Sequence, residues 1–235
     1  MKSLVIARGV LALFALVGRS PAQEKKAAGV TVDVEKKLVI IDAKVAPRKL
    51  EHLKGEVYPI ELIASWGHPK GKKAHETVLT IECDPSEVHK ALEKLGLKAG
   101  KPAKGAAMKD GDPDPKGEGP AVNVFIEVPD AAGGTKRLTL DKVLMDPKTK
   151  KAPPKMSFAF TGSILTAPDP NKPDDKKYGA DLTGSLIVLF PVSDETVLQT
   201  GWTMKEEKFL KLDIRPDVLP KEGTPVKLVI EVPGK

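Results

Sequence analysis

The stretch HETVLTIECDPSEVHKALEKLGL, residues 75–97, joins an alternating strand pattern to a fully capped helix pattern. Asp84 is placed to cap the helix, and Pro85 takes the first helical position, where its missing N–H costs nothing. Gly96 suits the left-handed residue that follows the last turn. Hydrophobic residues recur at helical spacing between these ends, at Val88, Ala91, Leu92 and Leu95. The pattern predicts an amphipathic helix at about residues 85–96, which must bury its apolar stripe against a sheet.

Residues 75–83 alternate between two faces, as a β-strand does. On this pattern His75 and Glu76 point to opposite sides of the sheet. Cys83 is the only cysteine and falls on the apolar face, so we expect a buried thiol rather than a reactive one. A single cysteine also excludes an internal disulfide and an iron–sulfur cluster, because each of these needs more than one thiol.

Further strand patterns recur along the chain and are separated by turns rich in Gly and Pro. They cover residues 30–34, 38–46, 58–66, 121–129, 136–145, 156–165, 182–192, 197–200, 208–214 and 225–232. Residues 182–192 are apolar on both faces, which predicts a central strand that is covered on each side. The chain of 235 residues can bury one sizeable core, made mainly of Val, Leu and Ile because aromatic residues are only 4%. We therefore predict a mainly β (α+β) fold of about ten mostly antiparallel strands, in a sandwich or barrel-like sheet, with the helix packed on it.

The first residues have the pattern of a secretory signal. Lys2 and Arg8 supply positive charge before a short apolar segment at residues 9–18, and Ser20-Pro21-Ala22 resembles a cleavage site. We expect residues 1–22 to be a signal peptide, the mature protein to be exported to the periplasm or the extracellular space, and no integral membrane segment to remain after cleavage. Cleavage would lower the formal charge from +6 to +3, and this near balance argues against nucleic acid as a partner.

The rest of the chain predicts a polar tether at residues 23–29 and a single β-rich domain at residues 30–235. Three long polar loops interrupt that domain, at residues 98–120, 146–155 and 166–177. The first is rich in Gly, Pro and charges of both signs and has few apolar groups, so we expect it to be mobile.

Few residues have the types and spacing of a reaction centre. His75-Glu76 begins like a zinc-protease motif, but leucine stands where the second histidine is needed. No serine-nucleophile motif and no phosphate-binding loop occurs in the sequence, so we predict no catalytic residues, no metal and no cofactor. The candidates that stay open are Glu61, His75 and Glu76 for catalysis, and His68, His75 and Glu76 for a metal. His89 and Glu93 are predicted to pair on the helix surface.

Several motifs occur in an order that resembles a known family. They are IELIASW (60–66), KKAHETVL (72–79), PSEVHKALEKLGLKAGKP (85–102), MSFAFTGSIL (156–165), GADLTGSLIVLFPVSDETVLQT (179–200) and LPKEGTPVKLVI (219–230). Together they resemble the YdjY-type domain of exported bacterial proteins, from Val30 to the C-terminus. Most of the resemblance lies in Glu61, in His75-Glu76, in the helix up to Gly96 and in Phe160-x-Gly162-Ser163.

The resemblance implies an exported single domain and no particular mechanism, because the family has no established activity. Some members are labelled ferredoxin-like, a label that a chain with Cys83 alone does not support. Members tend to have tryptophan before the F-x-G-S segment. Met156-Ser157 stand there in this chain, which implies a locally relaxed version.

The sequence is compatible with two hypotheses about function. The first is a non-catalytic binding or structural module of the cell envelope, whose partner is an envelope protein, a polymer or a small ligand. The second is a metal-binding protein or a hydrolase-type enzyme, in which His75 is the general base or a ligand and Glu61 or Glu76 orients it. The predicted opposite faces of His75 and Glu76 count against the second function.

Overall fold

A computed structural model describes residues 29–105, 114–130 and 133–234. The predicted signal peptide and residues 23–28 of the predicted tether lie outside these ranges. The strands in the described ranges are β1 (Val30–Asp33), β2 (Leu38–Val45), β3 (Leu62–Trp66), β4 (Thr77–Ile81), β5 (Ala121–Pro129), β6 (Thr135–Thr139), β7 (Leu144–Met145), β8 (Phe158–Phe160), β9 (Leu165–Thr166), β10 (Lys177–Tyr178), β11 (Ser185–Val188), β12 (Leu198–Thr200), β13 (Asp213–Ile214) and β14 (Pro225–Glu231). The helices are α1 (Pro85–Lys94), α2 (Leu140–Val143), α3 (Ala180–Thr183) and α4 (Met204–Phe209), with 3-10 helices at Glu51–Leu53 and Ala74–Glu76.

Eight strands close into a mixed barrel, in the order β2-β14-β5-β8-β12-β11-β3-β4, with β4 pairing back to β2. The β11–β12 and β3–β4 pairs are parallel and the other pairs are antiparallel. Closure removes the exposed strand edges that an open sheet would leave. The prediction of a β-rich, barrel-like sheet of mostly antiparallel strands with a small helix is therefore confirmed.

Two strands outside the barrel extend its sheet. The first half of β2 pairs with β1 and the second half pairs with β4 along the same edge. In the same way, one edge of β5 pairs first with β8 and then with β6. Helix α1 packs on β1 and β2 and also contacts α3. The predicted packing of this helix on the sheet is therefore confirmed.

The core follows from strand alternation. In β5 every second residue is buried, namely Val122, Val124, Ile126 and Val128. Strand β11 is buried along its whole length, as predicted for a strand within residues 182–192 that is covered on both faces. Phe160 and Phe190 are the largest fully buried side chains. Aliphatic residues supply most of the rest, which agrees with the low aromatic content.

Helix α1 ends as its sequence predicts. Gly96 has φ of +87°, the Gly96 N–H donates to the Glu93 carbonyl at 2.8 Å, and the Leu97 N–H donates to the Leu92 carbonyl at 3.2 Å. These two bonds form a Schellman motif. At the other end Pro85 is the first helical residue, but the Asp84 side chain makes no capping hydrogen bond. A carboxylate from another part of the chain binds there instead, because the Ser86 N–H in the first turn donates to Asp181 Oδ1 at 2.8 Å.

The strand before α1 is shorter than predicted. It begins at Thr77, and residues 74–76 form a 3-10 helix instead. His75 and Glu76 therefore do not lie on opposite faces of a strand, and that expectation was wrong. The turn keeps them on one side, with His75 Nε2 at 3.3 Å from Glu76 Oε1.

Three short helices were not predicted. Helix α4 occupies Met204–Phe209, so the strand predicted at residues 208–214 is wrong except for Asp213–Ile214. A capping box starts this helix, because the Thr203 hydroxyl accepts from the Lys205 N–H while the Thr203 N–H donates to Glu206. Helices α2 and α3 replace parts of the strands predicted at residues 136–145 and 182–192.

The described arms of the 98–120 loop are held against the barrel, in contrast to the mobile segment expected from composition. Lys101 and Glu118 exchange two backbone hydrogen bonds, at 2.8 and 2.9 Å. The side-chain amide of Gln199 binds both the N–H and the carbonyl of Ala103, at 2.9 and 2.8 Å. Residues 106–113, at the centre of the loop, lie outside the described ranges.

No helix within the described ranges has both the length and the apolar character that crossing a bilayer requires.

Candidate functional site

The parallel pairing of β3 and β4 sets Glu61 beside Glu76. Leu62 of β3 is the register partner of Thr77 of β4, and each glutamate directly precedes its strand. The Glu61 N–H donates to the Glu76 carbonyl at 2.9 Å. Because neighbouring strands lie only about 4.8 Å apart, the two carboxylates would repel each other if nothing compensated them.

Lys73 supplies that compensation. Its ammonium group donates to Glu61 Oε2 and, at 2.8 Å, to Glu76 Oε2. The side chains of Lys73, Glu61 and Glu76 are 33%, 20% and 14% exposed, so this group, which we call the Glu–Lys–Glu cluster, is largely shielded from water. One cation therefore bridges two carboxylates at the entry to two neighbouring strands.

The electrostatics of the cluster reflect this sharing. Burial raises the pKa of Glu61, Lys73 opposes that rise, and the nearby Glu76 charge adds to it. Burial alone lowers the pKa of Lys73, but the hydrogen bonds to Glu61 and Glu76 outweigh it and raise the pKa. Lys73 therefore stays charged at neutral pH and holds the carboxylates in place.

His75 sits at the border of the cluster. Its Nε2 lies 3.3 Å from Glu76 Oε1, and its ring meets the Tyr58 ring edge-on with centroids 4.9 Å apart. Its backbone carbonyl accepts a hydrogen bond from Arg48 Nη1 at 3.1 Å. Both the ring and the backbone of His75 are thus engaged by the protein.

Arg48 connects several segments of the chain next to the cluster. Its guanidinium donates to the carbonyls of Tyr58 and His75, and Nη2 lies 3.2 Å from Asp213 Oδ1. Burial lowers the pKa of Arg48 and Asp213 opposes the change, and an arginine keeps its charge under such conditions. Arg48 therefore links the segment after β2 to the 3-10 helix and to β13.

His68 lies apart from this group. It follows β3 and stacks on His52, with ring centroids 4.0 Å apart and planes 17° from parallel. Among the residues that the structure describes, no three His, Cys, Asp or Glu side chains form a group that could hold a metal ion. The structure brings together Glu61, His75 and Glu76, and it does not bring His68 to them.

A groove runs over the outside of β2 and β4, and we call it the outer groove. One part, of about 540 Å³, is lined by Asp42, Lys44, Glu82, Cys83 and Lys227, among others. A second part, of about 480 Å³, shares Lys44, Thr80 and Glu82 with the first. The second part adds Trp66, His68 and Lys70. The two parts therefore adjoin at Lys44, Thr80 and Glu82.

The outer groove contains paired charges and one aromatic ring. Lys44 pairs with Glu82 at 2.8 Å, and Lys227 pairs with Asp42. The Trp66 indole N–H donates to the Cys83 carbonyl at 2.8 Å, which fixes the ring at the groove wall, and the Lys70 ammonium lies 6.0 Å from the ring centroid. Burial raises the pKa of the Cys83 thiol to about 12, so this thiol is not a nucleophile at neutral pH.

A second polar network joins α1 to the F-x-G-S segment. His89 Nδ1 lies 2.8 Å from the Tyr178 hydroxyl, which accepts from the Ser163 N–H at 3.2 Å. His89 Nε2 lies 3.4 Å from Glu93, as predicted, but the ring is only 19% exposed and packs edge-on against Phe160. The pair is therefore part of a packed interface rather than a free helix surface.

The same contacts explain the glycine of the F-x-G-S segment. Gly162 has φ of +68°, and a Cβ there would lie 2.9 Å from Ala99 Cβ and 3.3 Å from His89 Cε1. Burial raises the pKa of the Tyr178 hydroxyl, so it stays protonated and can donate to His89. Two parts of the sequence that carry the family resemblance thus meet in space.

Sequence reasoning did not select Lys73, Arg48, Tyr58 or Tyr178. Lys73 could have been found locally, because it stands three residues before Glu76 and side chains at that spacing meet on one helical turn. Arg48, Tyr58 and Tyr178 act through contacts that are distant in sequence or through backbone carbonyls, and no local pattern marks them.

Comparison with known proteins agrees with the motif order. The family model described as YdjY domain matches residues 30–231, which include the whole barrel. No curated protein matches the chain. No solved structure matches it either. The match covers most of the chain, and the chain therefore belongs to the YdjY domain family.

Proposed function

We propose that the protein is an exported, non-catalytic binding module of the cell envelope, and that its ligand occupies the outer groove. The observation that carries this proposal is the Lys73 ammonium group, which binds both Glu61 and Glu76. A general acid or base must exchange a proton with its substrate, and here the cation engages the carboxylates that would do so. The cluster thus has the character of a structural ion-pair group.

The outer groove has the properties of a ligand site. Its ion pairs are exposed, and exposed pairs contribute only about 0–1 kcal/mol, so a ligand can replace them at little cost. The Trp66 ring offers an apolar face beside lysine and carboxylate groups. These features suit a polar ligand with some apolar surface, such as a segment of an envelope polymer, a small molecule or a loop of an envelope protein.

Export is supported by the sequence of the first 22 residues. A positive start, an apolar segment of about ten residues and a small-residue cleavage site are typical of secretory signals. Such a segment is too short to span a bilayer, which takes about 20 residues.

A metal-binding or hydrolytic role for Glu61, His75 and Glu76 is the second candidate. It is favoured by the 3.3 Å approach of His75 Nε2 to Glu76 Oε1 and by burial, which raises the pKa of Glu61 toward the range of a general acid. It requires Lys73 to leave the carboxylates when the metal or the substrate binds.

One preparation tests both the export and the binding-module role. The full-length protein is expressed in a bacterial host, released from the periplasm, and measured by intact mass and by elemental analysis, with the His75→Ala variant beside it. We expect a mass that corresponds to loss of residues 1–22, and less than one-tenth of an equivalent of any transition metal in both proteins. An uncleaved, membrane-bound chain would overturn export. Stoichiometric metal that disappears in His75→Ala would overturn the non-catalytic reading in favour of the second candidate.

A further inference from the structure

The positive charge of the chain is concentrated in one segment. Residues 136–155 contain seven Lys and Arg residues and two Asp residues, an excess of +5, whereas the whole chain has a formal charge of +6. This segment forms β6, α2, β7 and the loop that follows. The remainder of the sequence is close to neutral, so this segment carries most of the net charge of the chain.

Part of the segment lines a groove of about 440 Å³, which we call the basic groove. Its charged residues are Lys136, Arg137, Lys142, Arg215 and Asp141, and its apolar residues include Leu138 and Val218. The Arg215 N–H donates to the Val143 carbonyl at 2.8 Å, which anchors Arg215 beside α2. Four cations and one carboxylate thus surround a partly apolar depression.

Most of these cations have no anion of their own. Arg137 is engaged, because it binds Glu127 at 2.7 Å and lies 3.4 Å from Glu231. Within the described ranges no ion pair forms at Lys136, Lys142 or Arg215, and Asp141 is the one carboxylate that lines the groove. The basic groove therefore carries a charge that an external anion can neutralise.

A strand with one unpaired edge borders the basic groove. Strand β6 pairs with β5, and no other described strand pairs with it. Its second edge therefore offers backbone N–H and C=O groups to a further strand. Side chains on one face of an added strand are spaced about 6.6–6.8 Å apart, so alternate acidic residues would give an added strand one negatively charged face.

We propose that the basic groove binds an extended acidic peptide, which adds to the free edge of β6 and directs alternate Asp or Glu side chains to Lys136, Lys142 and Arg215. This site is separate from the outer groove and does not depend on the role proposed for it. The competing explanation is that the cations only protect an edge strand from aggregation, as charged residues on edge strands often do. A polyanion bound by charge alone is a different outcome, and the test distinguishes it.

Fluorescence anisotropy measures binding to the mature, full-length protein. The probe is a labelled seven-residue peptide in which glutamate alternates with valine. The matched peptide alternates glutamate with proline, so it has the same charge but lacks half of the backbone donors. We expect the valine peptide to bind at least tenfold more tightly than the proline peptide, and its affinity to fall as salt is raised.

Variants locate the site. The double variant Lys142→Glu with Arg215→Glu is expected to weaken binding of the valine peptide at least tenfold. The control Lys49→Glu with Lys98→Glu makes the same change in net charge at two exposed lysines elsewhere and should stay within twofold of the wild type. Circular dichroism on both variants checks that the fold is retained.

Three results would overturn the proposal. The first is that the valine peptide does not bind at millimolar concentration. The second is that the valine and proline peptides bind equally well, or that the valine peptide binds both double variants equally well. The third is that an anionic polysaccharide or single-stranded DNA of equal charge binds more tightly than the valine peptide. If the Lys142→Glu/Arg215→Glu variant fails to fold, amide hydrogen exchange of the wild-type protein, measured with and without the valine peptide, tests the proposal instead. The peptide must then slow exchange of the β6 amides, and unchanged exchange there would refute the proposal.

Discussion

Replacing Lys73 by methionine should lower the free energy of unfolding by about 2–3 kcal/mol, because it leaves Glu61 and Glu76 side by side without a cation. This is less than the roughly 3–5 kcal/mol lost when a fully buried pair is broken, since water reaches part of the cluster. Urea unfolding followed by circular dichroism measures the change.

Lys72→Met is the matched control for this experiment. Lys72 is the preceding residue, and its side chain is exposed. The same substitution there should change the free energy of unfolding by less than about 0.5 kcal/mol. Equal effects of the two variants would show that Lys73 acts as an ordinary surface lysine.

Leu92→Ala should cost about 3 kcal/mol of unfolding free energy, within the range of about 2–5 kcal/mol for leucine deletions in cores. Leu92 is fully buried, on the face of α1 that packs against the barrel. Removing the leucine side chain leaves a cavity. The surrounding residues cannot easily fill it, because the Schellman motif holds the end of α1 in place. Chemical unfolding at two protein concentrations measures the effect.

An exposed leucine gives the comparison. Leu165 is 62% exposed, so Leu165→Ala should change the unfolding free energy by no more than about 0.5 kcal/mol. A Leu92→Ala variant that is as stable as Leu165→Ala would mean that α1 is not packed on the sheet in solution.

The elements that the sequence predicted well are those whose signals are local. The end of α1 needed only Gly96 and the apolar stripe before it, and β5 needed only its alternation. Strand β11 was recognised because both of its faces are apolar. In each case the residues that determine the element are its own residues or immediate neighbours.

The errors have equally specific causes. The alternation that ends at Cys83 continues back through His75 in the sequence, but a 3-10 turn replaces it in the structure and brings His75 to Glu76. At residues 208–214 the alternation imitated a strand, whereas the Thr203 capping box starts a helix and leaves Phe209 80% exposed. The capping box was present in the sequence as Thr203-x-x-Glu206 and was the stronger signal.

Barrel closure could not be predicted from local patterns. The pairing of Ala43 with Ile81 and the parallel register of Leu62 with Thr77 join segments distant in sequence. The Glu–Lys–Glu cluster depends on that register, because Glu61 and Glu76 become neighbours only when β3 and β4 are parallel. Sequence patterns therefore singled out Glu61 and Glu76 as candidates but did not select Lys73, the cation that joins them.

The triple variant Glu61→Gln, Lys73→Met, Glu76→Gln tests most directly whether the cluster is structural. It removes the cation together with both charges, and the amide groups keep nearly the shape of the carboxylates. Urea unfolding should place its free energy within about 1 kcal/mol of the wild type, well above Lys73→Met alone, because no uncompensated charge is left. A triple variant as unstable as Lys73→Met, or a Lys73→Met variant as stable as the wild type, would contradict the account.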